Sequence, residues 1–389
     1  MRHRILTLND ISARGLERLP RERYEIASDL DRPDAILLRS ADMHRMSIPD
    51  SVRAVGRAGA GVNNIPVADL TRRGIPVFNT PGANANAVKE LVLAGLLIAA
   101  RNICSAWAFA RALSGDDHAI DVEVEKGKKK FVGFELPGRT LGVVGLGAIG
   151  VEVANSATVL GMKVLGYDPQ ITVQRAWQLS SSVEQALSLD DLFARADAIT
   201  VHIPLNDQTR KLVNEARLKL MKKGGTILNF ARAAIVDDQA VIGALESGRL
   251  HAYVCDFPNN ALKDHPKVVT LPHLGASTGE AEENCAVMVA DQVRDFLENG
   301  NLKNSVNYPE AVLPRAPSTS RLVVANSNVP NMVGQISTCL ASAKINIADL
   351  LNKSRGEYAY TLIDADGTIG DDLLQKVRGI DGVLSARIL

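Results

Sequence analysis

The stretch Thr140–Gly150, TLGVVGLGAIG, decides how the chain reads. An apolar run leads into Gly145, Gly147 and Gly150 in GxGxxG spacing, and VEVANSATVLG continues with a helical pattern, so strand, tight turn and helix follow one another. Gly145 permits the turn, Gly147 lets the backbone approach a pyrophosphate, and Gly150 allows close helix packing, with phosphate at the helix N-terminus. Ala148 and Ile149 lie in the same turn. The next strand, KVLGYD, ends in Asp168, where a carboxylate would accept from ribose hydroxyls and repel a 2′-phosphate. NAD is the cofactor expected, in preference to NADP.

Working outward, TLGVV, KVLGYD, AITVHI, GTILNF, AYVCDF and KVVTL alternate with helical segments, the rhythm of parallel βαβ units. An earlier series, ILTL, YEIA, AILLRS, VRAVGRAG and PVFNT, has the same rhythm. Helical patterns over 84–113 and 279–299 are long enough to run from one domain into another, and the lysine-rich 116–130 reads as an exposed loop. Pro309, Pro314 and Pro317 mark a linker. Beyond it RLVVANS, NMVGQISTCLASA, KINIADLLNKS, EYAYTLIDA, DDLLQKVRG and GVLSARIL follow β-α-β-β-α-β order, the ferredoxin-like arrangement. The expected fold is α/β: two Rossmann-like, doubly wound parallel-sheet domains, one of them flavodoxin-like, and a small ferredoxin-like domain. The expected boundaries are a discontinuous substrate-binding domain over 1–95 and 285–312, an NAD-binding domain over 96–284, a linker over 313–319 and the small domain over 320–389, a separate body that gains from pairing with a second copy.

With 44 Lys plus Arg against 44 Asp plus Glu and no long basic block, the chain is not suited to nucleic acid. The 46% apolar content supports packed cores and argues against extensive disorder. Cys104, Cys255, Cys285 and Cys339 have no ligand-like spacing and read as reduced core residues, so no metal is expected. The longest apolar run, LVLAGLLIAA, lies between Glu90 and Arg101 and is too short for a membrane span. A cytoplasmic protein is expected, with no membrane partner.

Two segments after the glycine turn carry a resemblance. GGTILNFARAAIVDDQAVIGAL surrounds Arg232 and VVTLPHLGAST surrounds His273, and with TLGVVGLGAIG before them the first 310 residues or so resemble the D-2-hydroxyacid dehydrogenases. The resemblance implies that Arg232 binds the substrate's carboxylate and carbonyl and that His273 is the acid/base. It also places Phe230, Ala231, Asp256, Gly275 and Ala276 with the cofactor, Asp256 at the nicotinamide carboxamide. The chemistry agrees, because a histidine titrating near neutrality can take and return a hydroxyl proton, and arginine's fork can hold a carboxylate. Two departures stand out. Ala233 replaces a glycine common after the arginine, and the Glu-Pro pair usual after the aspartate is absent from Asp256-Phe257-Pro258-Asn259-Asn260-Ala261. Asn260 is therefore expected beside His273 in place of the glutamate, with Asp264 or Glu280 as substitutes.

ILLRSAD and VGRAGAGVNNI resemble the 3-phosphoglycerate dehydrogenase group of that family. This implies a 3-phosphoglycerate substrate held by Arg39, Ser40, Arg57, Ala60 and Gly61, with Lys128 of GKKKFVGFEL approaching from a neighbouring subunit of a homodimer or homotetramer. The last 70 residues resemble ACT regulatory modules, which implies serine as an effector at Asn326, Asn328 and Asn346. Another D-2-hydroxyacid dehydrogenase acting on 2-oxoglutarate or glyoxylate-type acids, or an NAD-sensing corepressor-like protein, remains the alternative.

Overall fold

The computed structural model describes residues 2–315 and 319–389. The chain divides into two units, one of Met1–Ala83 with Gly279–Leu389 and one of Asn84–Thr278. The expected boundaries at 95 and 285 would cut through helices. Helix Ala85–Ala100 instead belongs whole to the second unit, where Gly95 leaves room for Phe230 and Val254, and helix Gly279–Asn299 belongs whole to the first.

In the first unit β1 (His3–Leu8), β2 (Tyr24–Ala27), β3 (Ala35–Leu38), β4 (Ala54–Arg57) and β5 (Val77–Phe78) form a parallel sheet of order β2-β1-β3-β4-β5, the flavodoxin-like order. All four residues of β3 are buried, as a central parallel strand covered on both faces requires. Helix Gly279–Asn299 lies against β4, where Gly56 has no room for a Cβ beside Val289 and Val293. Gly300, at φ +75°, ends that helix as its sequence position predicts.

The second unit holds β6 (Thr140–Val144), β7 (Lys163–Tyr167), β8 (Val183–Gln185), β9 (Ala198–Val201), β10 (Gly225–Asn229), β11 (Leu250–Cys255) and β12 (Val268–Thr270). They pair in parallel in the order β12-β11-β10-β9-β6-β7-β8, so the direction of winding reverses between β6 and β9. The three-residue β8, VEQ, is too short and polar to announce itself in sequence. The helical pattern over 84–113 divides at Asn102, which is left-handed at φ 52°, and helices Ala85–Ala100 and Ile103–Ala112 bend by 63° there. Neither is long and apolar enough to cross a membrane, nor is any other single helix among the described residues. The 116–130 segment is not a loop: Asp116 accepts from the Ala119 N–H at 2.8 Å and caps helix Asp117–Gly127.

The C-terminal module returns to the first unit. β13 (Thr319–Ser327), β14 (Asn346–Arg355), β15 (Tyr358–Asp366) and β16 (Val383–Ile388) form an antiparallel sheet of order β14-β15-β13-β16, with Ile336, Leu340, Leu374 and Val377 of two helices on one face. The expectation of a separate body is corrected by the other face. Val323, Ala325, Tyr360 and Leu362 join one core with Phe296, Leu297 and Tyr308, so surface assigned to a second copy is covered by the chain itself. Arg321 anchors the joint. Fully buried, it donates to both oxygens of Asp364 at 2.6 and 2.7 Å and to the carbonyls of Asn299, Leu313 and Pro314, which uses all five N–H groups of the guanidinium. Of the expected linker over 313–319, residues 316–318, Pro317 among them, lie outside the described residues. All four cysteines are free, but Cys104 is exposed and Cys339 half-buried, so only Cys255 and Cys285 are core residues.

Candidate active site

In an open parallel sheet, ligands bind beyond the carboxyl ends of the strands where the winding reverses. In the second unit that place is marked by Gly145, directly after β6 and at φ +90°; its N–H donates to the Tyr167 carbonyl at 2.9 Å. A Cβ there would come within 2.6 Å of the His202 carbonyl, and one on Gly150 within 1.9 Å of the Gly145 carbonyl. A Cβ on Gly147 would meet nothing within 4 Å. The three glycines thus do three separate things, and only Gly147 leaves backbone open to an incoming ligand. Helix Ala148–Val159 starts there and aims its first N–H groups, with Ala148 and Ile149, at the same opening. Asp168 Oδ2 accepts from the Leu146 N–H and Oδ1 from the Gln170 N–H, at 2.8 and 2.9 Å. The carboxylate braces the glycine turn and keeps lone pairs for ribose hydroxyls. These residues fit a dinucleotide.

Sequence reasoning passed over His202, which follows β9 across the reversal. Its ring nitrogen Nε2 lies 2.9 Å from the Thr200 hydroxyl and its Nδ1 is enclosed; burial drives the imidazole pKa down to about 3. The signal that would have found it is topological: the residue after the strand beside β6 must lie against the glycine turn.

The same edge carries the expected catalytic residues. Arg232 is exposed three residues past β10, its Nη1 donating to the Ala231 carbonyl at 2.6 Å. The loop that holds it, with Phe230 and Ala231, is braced by buried Asn229, whose Oδ1 accepts from the Ala231 N–H at 3.1 Å and whose Nδ2 donates to the Arg232 carbonyl at 3.0 Å. Asn229 was not among the expected site residues. His273, three residues past β12, stands at φ 58°, a region few side chains enter and one concentrated at functional sites. Asp256 supplies the restraint. Only 1% exposed, it accepts from the N–H groups of Leu274 and Gly275 at 2.8 and 2.7 Å, pinning the turn that contains His273 and runs on into Ala276. Its two oxygens thus hold the histidine loop, a role that the resemblance did not suggest.

Asn260 is not the replacement for the missing glutamate. No side chain among the described residues hydrogen-bonds the His273 ring; the ring of Phe257 packs against it edge-on, with centroids 5.4 Å apart. Asn260 is solvent-exposed because Asn259, bonded to Asp238 at 2.8 Å and capping Ala261 and Leu262, turns the segment outward. Asp264 is paired with Lys263 instead.

In the first unit Arg57 ends β4 in register with Leu38 of β3, so Arg39 follows on the neighbouring strand and both cations stand at one edge of the sheet, with Ser40 beside them. Both pull on Cys285, whose thiol burial raises and whose Thr80 hydrogen bond and arginine neighbours lower. Asn79 donates to the Ala60 carbonyl at 2.6 Å and the Thr80 N–H to the Gly59 carbonyl at 3.1 Å, shaping the loop through Gly61. Arg39 is ion-paired with Glu282 at 2.5 Å. Lys128, in the second unit, pairs with Glu125 of its own helical stretch at 2.5 Å and is brought to no site residue within its unit. The three asparagines of the module do not converge. Asn328 donates to the Gly356 carbonyl and Asn326 to the Ser327 carbonyl at one end of the sheet, while Asn346 donates to Asp366 at the other, roughly 26 Å away along the strands. No group of metal-binding side chains is found among the described residues.

Residues 94–275 match the family model for the D-isomer specific 2-hydroxyacid dehydrogenase NAD binding domain, a span that contains the glycine turn, Arg232, Asp256 and His273. A D-3-phosphoglycerate dehydrogenase of Haemophilus influenzae is 32% identical over 350 residues, 86% of this chain and 81% of that one. One from Methanocaldococcus jannaschii is 34% identical over 81% of this chain, which spans only 59% of that longer relative. Among solved structures, cofactor-bound 3-phosphoglycerate dehydrogenase of Entamoeba histolytica is 25% identical and aligns with a TM-score of 0.60 over 79% of this chain and 99% of its own. With a relative of that identity covered over four fifths of its length, and with the matched span enclosing the edge where turn, arginine and histidine meet the end of the sheet, the chain belongs to the D-isomer specific 2-hydroxyacid dehydrogenase family.

Proposed function

We propose that the chain oxidises 3-phospho-D-glycerate to 3-phosphohydroxypyruvate with NAD, the step that commits this acid to serine synthesis. The observation that carries the reading is His273, held in a left-handed turn by Asp256 at the carboxyl edge of the sheet that also carries the exposed Arg232 loop. His273 takes the 2-hydroxyl proton as the C2–H bond breaks. Arg232 binds the carboxylate and polarises the forming carbonyl. The bound nicotinamide supplies the acceptor for the hydride. Arg57, Arg39 and the 58–64 loop hold the anionic substrate, whose phosphate and carboxylate need more cationic partners than Arg232 alone.

Helix Ile103–Ala112 buries none of its residues, and Trp107 is 61% exposed, which supports a homodimer covering this face. Lys128 would then meet the substrate of a neighbouring subunit. Serine as effector requires two modules: antiparallel pairing across β14, the exposed edge of the sheet, sets Asn346 of one copy near the Asn328 end of the other. The free cysteines fit a cytoplasmic location. Rates of NADH oxidation with phosphohydroxypyruvate and with 2-oxoglutarate test the substrate: preference for the phosphorylated acid, lost in Arg57→Ala, supports the reading, and equal rates in wild type and Arg57→Ala overturn it.

A further inference from the structure

The first unit contains a second cationic site. Where the C-terminal module meets the flavodoxin-like sheet lies a cavity of about 920 Å³, within the range of small-molecule sites. Arginines from both sides line it: Arg2, Arg32 and Arg53 from the sheet's side, Arg378 and Arg387 from the module. In all, seven arginines and three aspartates line the cavity, with no lysine or glutamate, an excess of four positive charges in a chain whose formal charge is zero.

Three of those arginines have carboxylate partners: Arg4 pairs with Glu25, Arg53 with Asp34 and Arg73 with Asp50. Arg2, Arg32, Arg378 and Arg387 have none within 4 Å among the described residues. Arg387 is the most constrained. It donates to the carbonyls of Phe296 and Leu297 and lies 4.1 Å over the Phe296 ring. Burial, with Arg53 adding to it, lowers its pKa to about 10 against the opposing pull of Tyr360 and Asp34.

The cavity's position separates it from substrate chemistry. Arg2 and Arg4 open β1, while Arg53 and Gly74 stand just ahead of β4 and β5, so the cavity lies at the amino-terminal edge of the parallel sheet. Arg39 and Arg57 stand at the carboxyl edge and line no part of it.

We propose that this cavity binds a small polyanion of the phosphate class, carrying two or more phosphate charges and held between arginine forks of the sheet and of the module. Guanidinium forks match phosphate geometry, and an excess of four charges suits such a molecule better than a zwitterionic amino acid. Because the ligand bridges the two sides, occupancy ties the module more firmly to the substrate-side sheet, which makes the site a regulatory one.

Calorimetric titration of the full-length protein with inorganic pyrophosphate tests this. With NAD saturating the glycine turn, one site per chain is expected, weakened at least about tenfold in Arg53→Ser/Arg378→Ser and unchanged in Arg57→Ala and Arg232→Ala. Serine should not compete. Hydrogen exchange on the wild type provides a readout independent of the variants' folding: pyrophosphate should slow exchange in 50–53 and 383–388. Pyrophosphate binding lost in Arg57→Ala or Arg232→Ala but kept in Arg53→Ser/Arg378→Ser, no binding tighter than about 1 mM, or unchanged exchange in both segments overturns the proposal.

Discussion

Replacing Asp256 by asparagine should slow turnover while leaving the fold in place. The carboxylate offers one oxygen to the Leu274 N–H at 2.8 Å and the other to the Gly275 N–H at 2.7 Å, and these two bonds keep His273 at φ 58°. An amide of the same shape has one oxygen; its NH2 faces a donor where an acceptor stood. One charge-assisted hydrogen bond is lost, about 1.5–3 kcal/mol. If that loss falls on the positioning of His273, kcat/KM drops by about 10- to 150-fold, mostly in kcat. The assay is reduction of phosphohydroxypyruvate followed through NADH absorbance, with a thermal melt to confirm folding and Asp256→Glu as the charge-retaining control. A folded Asp256→Asn enzyme within about twofold of wild type in kcat/KM refutes the reasoning, because the histidine would then be held by something else.

The glycines should separate by role: Gly147→Ala should fold normally and lose NADH affinity in fluorescence titration, whereas Gly150→Ala, whose Cβ would lie 1.9 Å from a backbone carbonyl, should express poorly or melt well below wild type. Equal behaviour of the two would contradict the geometry. Asp364→Asn removes the charge opposite buried Arg321, which should cost about 3–5 kcal/mol and lower the calorimetric transition by roughly 6–20 °C, with Arg321→Met/Asp364→Leu recovering part of it; a loss under about 1 kcal/mol would mean the pair does not anchor the module. His202 titrates at about 3 in the folded chain against 6.5 unperturbed, so the unfolded state takes up its proton first as pH falls. The stability of the neutral ring is complete above pH 6.5 and is lost toward pH 3, at up to about 1.4 kcal/mol per pH unit. Urea unfolding of His202→Asn should show a flatter acid limb; a limb parallel to wild type excludes this histidine as its source.

What was legible in sequence followed local chemistry. The turn at Gly145 to Gly150 and the acid at Asp168 announce a strand, a ligand and a helix within 30 residues, and the apolar runs of the parallel strands, from Ala35–Leu38 to Leu250–Cys255, read directly because burial on both faces leaves few polar positions, His251 being one. What was not legible depended on contacts distant in sequence. The bracing by Asp256 and Asn229 becomes visible only once the strand ends are aligned. The docked face of the C-terminal module looks, residue by residue, like any half-buried sheet, and Arg321 looks like a surface cation until Asp364 and three carbonyls close around it. The Asn260 expectation failed because a one-dimensional match placed the residue beside His273, whereas the turn capped by Asn259 aims it at solvent.

The central claim is that this fold moves a hydride and a proton at a 2-hydroxy acid, with His273 handling the proton. NADH oxidation by phosphohydroxypyruvate, measured for wild type and His273→Ala alongside NADH binding by fluorescence, tests it most directly. The expected result is steady turnover by wild type, a loss of about 10²- to 10⁴-fold in kcat in the variant, and unchanged NADH affinity. Full activity in His273→Ala, or a wild type that binds NADH and turns over neither phosphohydroxypyruvate nor another 2-oxo acid, would contradict it.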